Sequence, residues 1–413
     1  MNTINTINTI NTIKRIYLDI SQTASGDGLT IPIFEIIPNN VSEDLYKIPH
    51  VYIQSSVHGS ELQGNAVIYE LINLLNKIHS GGCGCGCSCS CSCSCSCSCN
   101  CRFTFVPLAN PHAINQKFHG HTVGRFNLQT GENFNRTYID INNLDLNLPS
   151  FIENNSNQPW ENIKINFKKL LLQKLTEYRD HLIGSKGISY QQRLNIELQI
   201  LASSADVVLD LHTAAQGMRY IYAPEYCYKN AFHFNFPLTI IIPNKFAGAM
   251  DEATFTPWYN LHQNLTNKIE FEAYTLEHGS EEIIDFNAAK IDALNILNYL
   301  HFKKFLNLNP NLDLDLDLDH SNRAYASLKD YQSNYSPSSG LIDFIKKPGD
   351  IVKEGEVIAK ILNFKNDINN LTSDVVAKND LILVNHPSSA NIAAGMELFK
   401  SIENYKFING DNK

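Results

Sequence analysis

Outside one short tract the chain has almost no cysteine. Of its eleven cysteines, ten stand at every second position from Cys83 to Cys101, and Cys227 alone lies elsewhere. A disulfide framework needs cysteines spread over the fold, so that class is excluded. Long apolar runs are missing as well. No stretch approaches the roughly 20 apolar residues of a membrane helix, and the N-terminus lacks the basic-then-apolar order of a secretory signal. The expected location is therefore cytoplasmic, with no membrane partner. An excess of positive charge is also lacking: 33 Lys and Arg stand against 42 Asp and Glu, a net charge of -9. Nothing in that balance favours nucleic acid. A small molecule is the expected partner, and a homo-oligomer is left open.

What is present reads as an ordinary globular protein, 43% hydrophobic and 18% charged over 413 residues. That length exceeds what one core sustains, so two domains are expected. Three low-complexity tracts punctuate the chain: Asn-Thr-Ile copies at 2–13, the Gly/Ser-Cys run at 81–101, and an Asp-Leu alternation around 312–319. The cysteine run reads as a tolerated surface-loop expansion rather than a thiolate site, because folded thiolate sites use spaced pairs. Between the tracts, apolar strands alternate with helical patterns, which argues for an α/β sheet with helices on its faces. Strands are expected at 50–57, 102–108, 206–211, 218–223, 237–243 and 269–277, and helices at 65–78, 163–182, 190–203 and 287–305. After about residue 325 the texture changes to short strands with glycine turns, as in a small β domain.

The chemistry gathers at expected strand ends. His58-Gly59-Ser60-Glu61 follows the first strand, and an imidazole and a carboxylate three residues apart can converge on one metal ion. Asp210-Leu211-His212-Thr213 ends the apolar strand DVVLDL, where alternation projects Asp210 and His212 to the same side. There Asp210 can orient an imidazole. Glu277 ends a further strand, just before His278-Gly279. Two histidines and one carboxylate, with water completing the shell, make a catalytic zinc arrangement. The metal lowers the pKa of its water, and a nearby glutamate such as Glu277 can take the proton. Between these motifs lie Arg125, Asn135 and Arg136. A guanidinium is a planar, permanently charged donor. Arg125 suits a developing oxyanion, Arg136 a substrate carboxylate, and Asn135 a supporting hydrogen bond.

Taken in order, SSVHGSELQGN, PLANPHAINQ, GRFN followed by NFNR, DLHTA and YTLEHG resemble the succinylglutamate desuccinylase/aspartoacylase family, relatives of zinc carboxypeptidases. The resemblance covers roughly residues 48–300. It implies a zinc carboxypeptidase-like mixed sheet flanked by helices, followed by a small all-β C-terminal domain. It also implies one Zn2+ per chain on His58, Glu61 and His212, with Glu277 as the catalytic glutamate. Arg125, Asn135 and Arg136 match the residues that polarise the substrate carbonyl and hold its carboxylate. Asn133 departs from the pattern, since an aspartate often precedes the Asn-Arg pair. The tail PSSGLIDFIKKPGDIVKEGEVIAKIL is similar to biotinyl/lipoyl-like barrels but lacks a Met-Lys-Met or Asp-Lys-Ala tip to carry a cofactor.

The expected organisation is a repeat at 1–14, a catalytic α/β domain at 15–310 carrying the insertion 81–101, an acidic linker at 311–324, and a β-barrel-like domain at 325–413. The expected function is zinc-dependent hydrolysis of the amide bond of a small N-acyl amino acid. The alternatives are a zinc carboxypeptidase acting on peptides and a non-catalytic binding or carrier protein on the same fold.

Overall fold

A computed structural model describes residues 4–10, 13–38, 44–79, 98–265, 269–307 and 323–408. The cysteine run as far as residue 97 and the Asp-Leu stretch lie outside the described residues. The chain divides into two compact units: 1–212 with 244–275 and 284–316, and 213–243 with 276–283 and 317–413. Among the described residues no helix is long and apolar enough to cross a membrane.

The first unit carries a mixed sheet with helices, the architecture expected from alternating strand and helix patterns. Its strands run in the order Ile4–Ile10, Ile13–Gln22, Gly28–Ile36, Arg102–Val106, His50–Ser55 and Val207–Ala214. The first four pair antiparallel and the last three pair parallel. His50–Ser55 is buried at every position, as a central strand covered on both faces must be. Ile13–Gln22 and Gly28–Ile36 were not expected. Their alternation of buried Ile16, Leu18 and Ile20, and of Ile31 and Ile33, is nevertheless the period-2 signal of a half-covered hairpin. The Asn-Thr-Ile repeat supplies the edge strand Ile4–Ile10 beside it.

The helices Gln63–His79 and Phe286–Phe302 pack on one another, as do Trp160–Ser185 and Tyr190–Ala202. Tyr190–Ala202 starts on a capping box in which the Ser189 hydroxyl accepts from the Gln192 N–H and the Gln192 amide oxygen accepts from the Ser189 N–H. Helix Met250–Gln263 was not expected; it contains Pro257, a residue that ordinarily ends a helical pattern.

At the amino ends of the parallel strands lies a buried polar cluster. His50 is held by the Thr104 hydroxyl at 2.9 Å and the Ser204 hydroxyl at 3.1 Å, while Lys168 donates to Asp206 at 2.7 Å. Burial, reinforced by the charges of Arg102 and Lys168, pushes the His50 pKa well below its ordinary value. Above about pH 6.5 the ring is neutral in both folded and unfolded chains. As pH falls below that point the unfolded chain takes up a proton that the folded chain refuses, so stability declines towards acid. The expected loss approaches about 1.4 kcal/mol per pH unit over that window. His50→Gln should flatten the decline between pH 7 and pH 5, as read from chemical denaturation curves. An unchanged slope would assign acid sensitivity to other groups.

In the second unit Arg219–Pro224, Leu238–Ile242 and Ala324–Ser327 pair parallel, with Lys406–Phe407 antiparallel at the end. Residues 331–402 form short antiparallel strands around a core that includes Val352, Ile358, Ile361, Leu383 and Phe399.

Candidate metal centre

Parallel register brings the two halves of the site together. Ser55 pairs with Leu211, so the turn after Ser55 and the residue after Leu211 emerge at the same end of the sheet. His58, Glu61 and His212 meet there, 2%, 1% and 3% exposed, with potential ligand atoms within 4.8 Å of one another. Glu61 lies between the rings: His58 Nδ1 is 2.8 Å from Oε1 and His212 Nδ1 is 2.6 Å from Oε2. The ring centroids stand 5.1 Å apart.

Each ring is oriented through its other nitrogen. His212 Nε2 contacts the fully buried Asp210 carboxylate at 2.8 Å, and His58 Nε2 meets the Asn133 amide oxygen at 2.8 Å. Asp210 is in turn held by Gln54, whose Nε2 donates to Oδ1 at 2.9 Å, and Tyr52 donates to the Gln54 carbonyl at 2.8 Å. Sequence reading passed over Gln54. Its signal was present: a glutamine inside an otherwise apolar buried strand must find a hydrogen-bond partner.

Electrostatics follow from this packing. Burial opposes the Glu61 carboxylate, yet His58 and His212 hold its pKa well below the usual range. Burial likewise opposes charge on His212, but Asp210 and Glu61 hold its pKa well above the ordinary histidine value. His58 is lowered by burial, which outweighs the pull of Glu61. Nearby, burial pushes Asp251 up to about 7, assisted by the charges of Glu252 and Asp210.

The turn that presents His58 and Glu61 is built backbone on backbone. Ser56 adopts φ 59, a left-handed conformation that a serine takes only when its surroundings enforce it. Its hydroxyl donates to the Glu61 carbonyl at 3.1 Å and accepts from Asn65 Nδ2 at 2.7 Å. Gly59 N–H donates to the Gly124 carbonyl at 2.9 Å. The Ala113 carbonyl is wedged between the two glycines, 2.2 Å from where a Cβ on residue 59 would stand and 2.1 Å from one on residue 124. Asn110 ties the third strand of this knot: Nδ2 donates to the Val57 carbonyl at 3.0 Å, while Oδ1 accepts from Ala113 N and from the Tyr190 hydroxyl.

The remaining expected site residues divide. Arg125, its side chain 48% exposed, donates from Nη1 to Glu61 Oε1 at 2.9 Å. Asn135 is buried, with its amide oxygen accepting from Met250 N at 3.1 Å and its amide nitrogen 3.2 Å from His212 Nε2. Arg136 is exposed, and its Nη1 donates to the Asn135 carbonyl at 2.6 Å. Glu277 belongs to the second unit, half-buried on the strand Glu272–Ser280. Its charge acts there on Tyr220, Tyr222 and Tyr331, and burial together with that charge raises all three phenols, Tyr331 to about 12.

The donor set fits a zinc-type cation. Two imidazole Nδ1 atoms and a carboxylate converge from buried positions, and the outer nitrogen of each ring meets an oxygen acceptor, as metal-ligating histidines ordinarily require. Cys99 and Cys101, whose sulfurs are 3.8 Å apart, are the described part of the cysteine run.

No family model matches the chain, and no curated protein matches it. Solved structures do. A protein of Shewanella frigidimarina NCIMB 400 assigned to the succinylglutamate desuccinylase/aspartoacylase group is 32% identical, with a TM-score of 0.82 over 96% of this chain and 99% of that one. A family protein of Shewanella amazonensis SB2B is 30% identical, with a TM-score of 0.81 over 95% and 99%. The ectoine utilization protein EutE (DoeB) of Ruegeria pomeroyi, solved with product bound, is 14% identical at a TM-score of 0.60 over 97% and 99%, a likeness of fold alone.

Proposed function

Because the chain belongs to the succinylglutamate desuccinylase/aspartoacylase family, we propose that it hydrolyses the amide bond of a small N-acyl amino acid, using one zinc ion held by His58, Glu61 and His212. The observation that carries this reading is the convergence of those three buried side chains, each ring braced from behind. A bound zinc ion supplies Lewis acidity to the amide carbonyl and makes water a nucleophile near neutral pH.

The chain's own residues do the rest. Asp210 and Asn133 orient the rings, so that little reorganisation accompanies catalysis. Arg125 donates to Glu61, which places its guanidinium beside the ligand set. From there its permanent charge serves the carbonyl oxygen as negative charge develops. Asn135 has its amide oxygen committed to Met250, so it meets substrate as a donor. Arg136, exposed and permanently charged, anchors the substrate carboxylate. Glu277 takes the proton from the attacking water and returns it to the departing amine.

The direct test is a panel of N-acetyl, N-succinyl and N-formyl amino acids offered to the zinc-loaded protein. Turnover of at least one is expected. No turnover of any, together with release of C-terminal residues from peptides, would replace this reading with a carboxypeptidase. The metal is tested separately. With the thiols of the cysteine tract alkylated, the protein should hold about one zinc, and His58→Ala or His212→Ala should lose it. Full retention in either variant would remove that histidine from the site.

A further inference from the structure

The two ligand rings are braced unequally. His212 leans on a carboxylate, Asp210, whereas His58 leans on a neutral amide, Asn133. The orientation of that amide does not rest on convention. The backbone N–H of Asn135 donates to Asn133 Oδ1 at 2.8 Å, and a backbone N–H can only donate, so the atom facing His58 is the oxygen. An oxygen acceptor 2.8 Å from His58 Nε2 requires the proton on that nitrogen. A ligating imidazole is neutral, so in the metal-bound site that proton leaves the lone pair on Nδ1, the nitrogen 2.8 Å from Glu61.

Neutrality matters as much as geometry. Among the described residues Glu61 and Asp210 place two negative charges at the ligand set, and Arg125, 2.9 Å from Glu61, offsets part of that charge. A carboxylate at position 133 would add a third, at hydrogen-bond distance from a ligand. Carboxylate bracing raises the basicity of an imidazole and tightens its hold on a metal. It also drains positive charge from the ion.

We infer that Asn133 is a positioning residue that locks His58 in the tautomer ligating through Nδ1 and, by being neutral, keeps His58 the weaker of the two histidine ligands. The inference rests on the metal reading proposed above. Asn133 acts through His58, and its contribution is a looser but more electrophilic metal ion than a carboxylate at the same place would give.

Cobalt(II) binding to the full-length protein tests this, with chelator competition for affinity and visible absorption for the ligand set. Thiolate-bound cobalt has strong near-ultraviolet charge-transfer absorption that a nitrogen and oxygen site lacks, so the cysteine tract is read separately. Asn133→Ala should weaken the site about 10–100-fold, the usual cost of removing such a partner. Asn133→Asp is nearly isosteric and keeps both accepted hydrogen bonds, so it should fold like the parent and bind cobalt roughly tenfold more tightly. Its cobalt spectrum should remain of the nitrogen and oxygen type. An Asp variant that binds no more tightly than the parent overturns the role of neutrality, and this result stands even if Asn133→Ala fails to fold. A folded Ala variant with parental affinity overturns the positioning role. Retention of an unchanged cobalt spectrum by His58→Ala would instead sink the metal site itself, whatever position 133 does.

Discussion

Glu277→Gln should retain metal and substrate binding yet lose 10²–10⁴-fold in kcat, the usual range for general acid–base catalysis. The substitution preserves size and shape while removing the proton-accepting charge. Glu277 is half-buried on the strand Glu272–Ser280, among Tyr220, Tyr222 and Tyr331, whose rings contact one another at centroid distances of 5.3, 6.3 and 6.4 Å. Tyr331 is itself held by Asn385, which donates to its hydroxyl at 2.9 Å. A carboxylate in such packed surroundings keeps its place when neutralised, so lost activity would report lost chemistry. The measurement is kcat and KM with zinc content determined on the same sample. Near-normal kcat in zinc-loaded Glu277→Gln would remove Glu277 as the base and turn attention to Glu281 and Glu282. Arg136→Ala provides the contrast. An anchor used equally by substrate and transition state should raise KM and spare kcat.

Gly59→Ala should be nearly as damaging by a different route. The added Cβ would stand 2.2 Å from the Ala113 carbonyl oxygen, a backbone atom that cannot swing aside. Residue 59 sits between His58 and Glu61, so the forced shift lands on the ligands. Overpacking of this kind costs about 1–3 kcal/mol of stability. Displacement approaching 1 Å at a catalytic site can cost about 10²-fold in rate. Metal affinity and kcat/KM should therefore both fall by about two orders of magnitude, out of proportion to the change in Tm. Gly120→Ala is the control, since nothing lies within 4 Å of its added Cβ. A folded Gly59→Ala protein with parental metal affinity would show that the turn tolerates the shift and is not what sets the ligand geometry.

The sequence by itself picked out the candidate site residues and the type of element that holds them. Apolar runs with period 2 or 3.6 are local properties, so strands near 50–57, 102–108 and 206–211 and helices near 65–78 and 190–203 were readable, with ends displaced by a few residues. The observed elements are His50–Ser55, Arg102–Val106, Val207–Ala214, Gln63–His79 and Tyr190–Ala202. Alternation along DVVLDL was enough to turn Asp210 and His212 to one side, and their contact at 2.8 Å follows from it. Two kinds of segment were not read: the hairpin Ile13–Gln22 and Gly28–Ile36 beside the Asn-Thr-Ile repeat, and the helix Met250–Gln263 that contains Pro257.

Tertiary structure alone decided the convergence. Gln54 and Asp210 are 156 positions apart and hydrogen-bonded because two parallel strands pair in one register. A slip of one residue would turn every side chain of the strand to the other face. The same holds for the wedge of Ala113 between Gly59 and Gly124, and for the Asn133 amide behind His58. Each depends on loops from separate stretches of chain meeting at one end of the sheet, where the identity of a residue says what it can bond but not which partner the fold will bring.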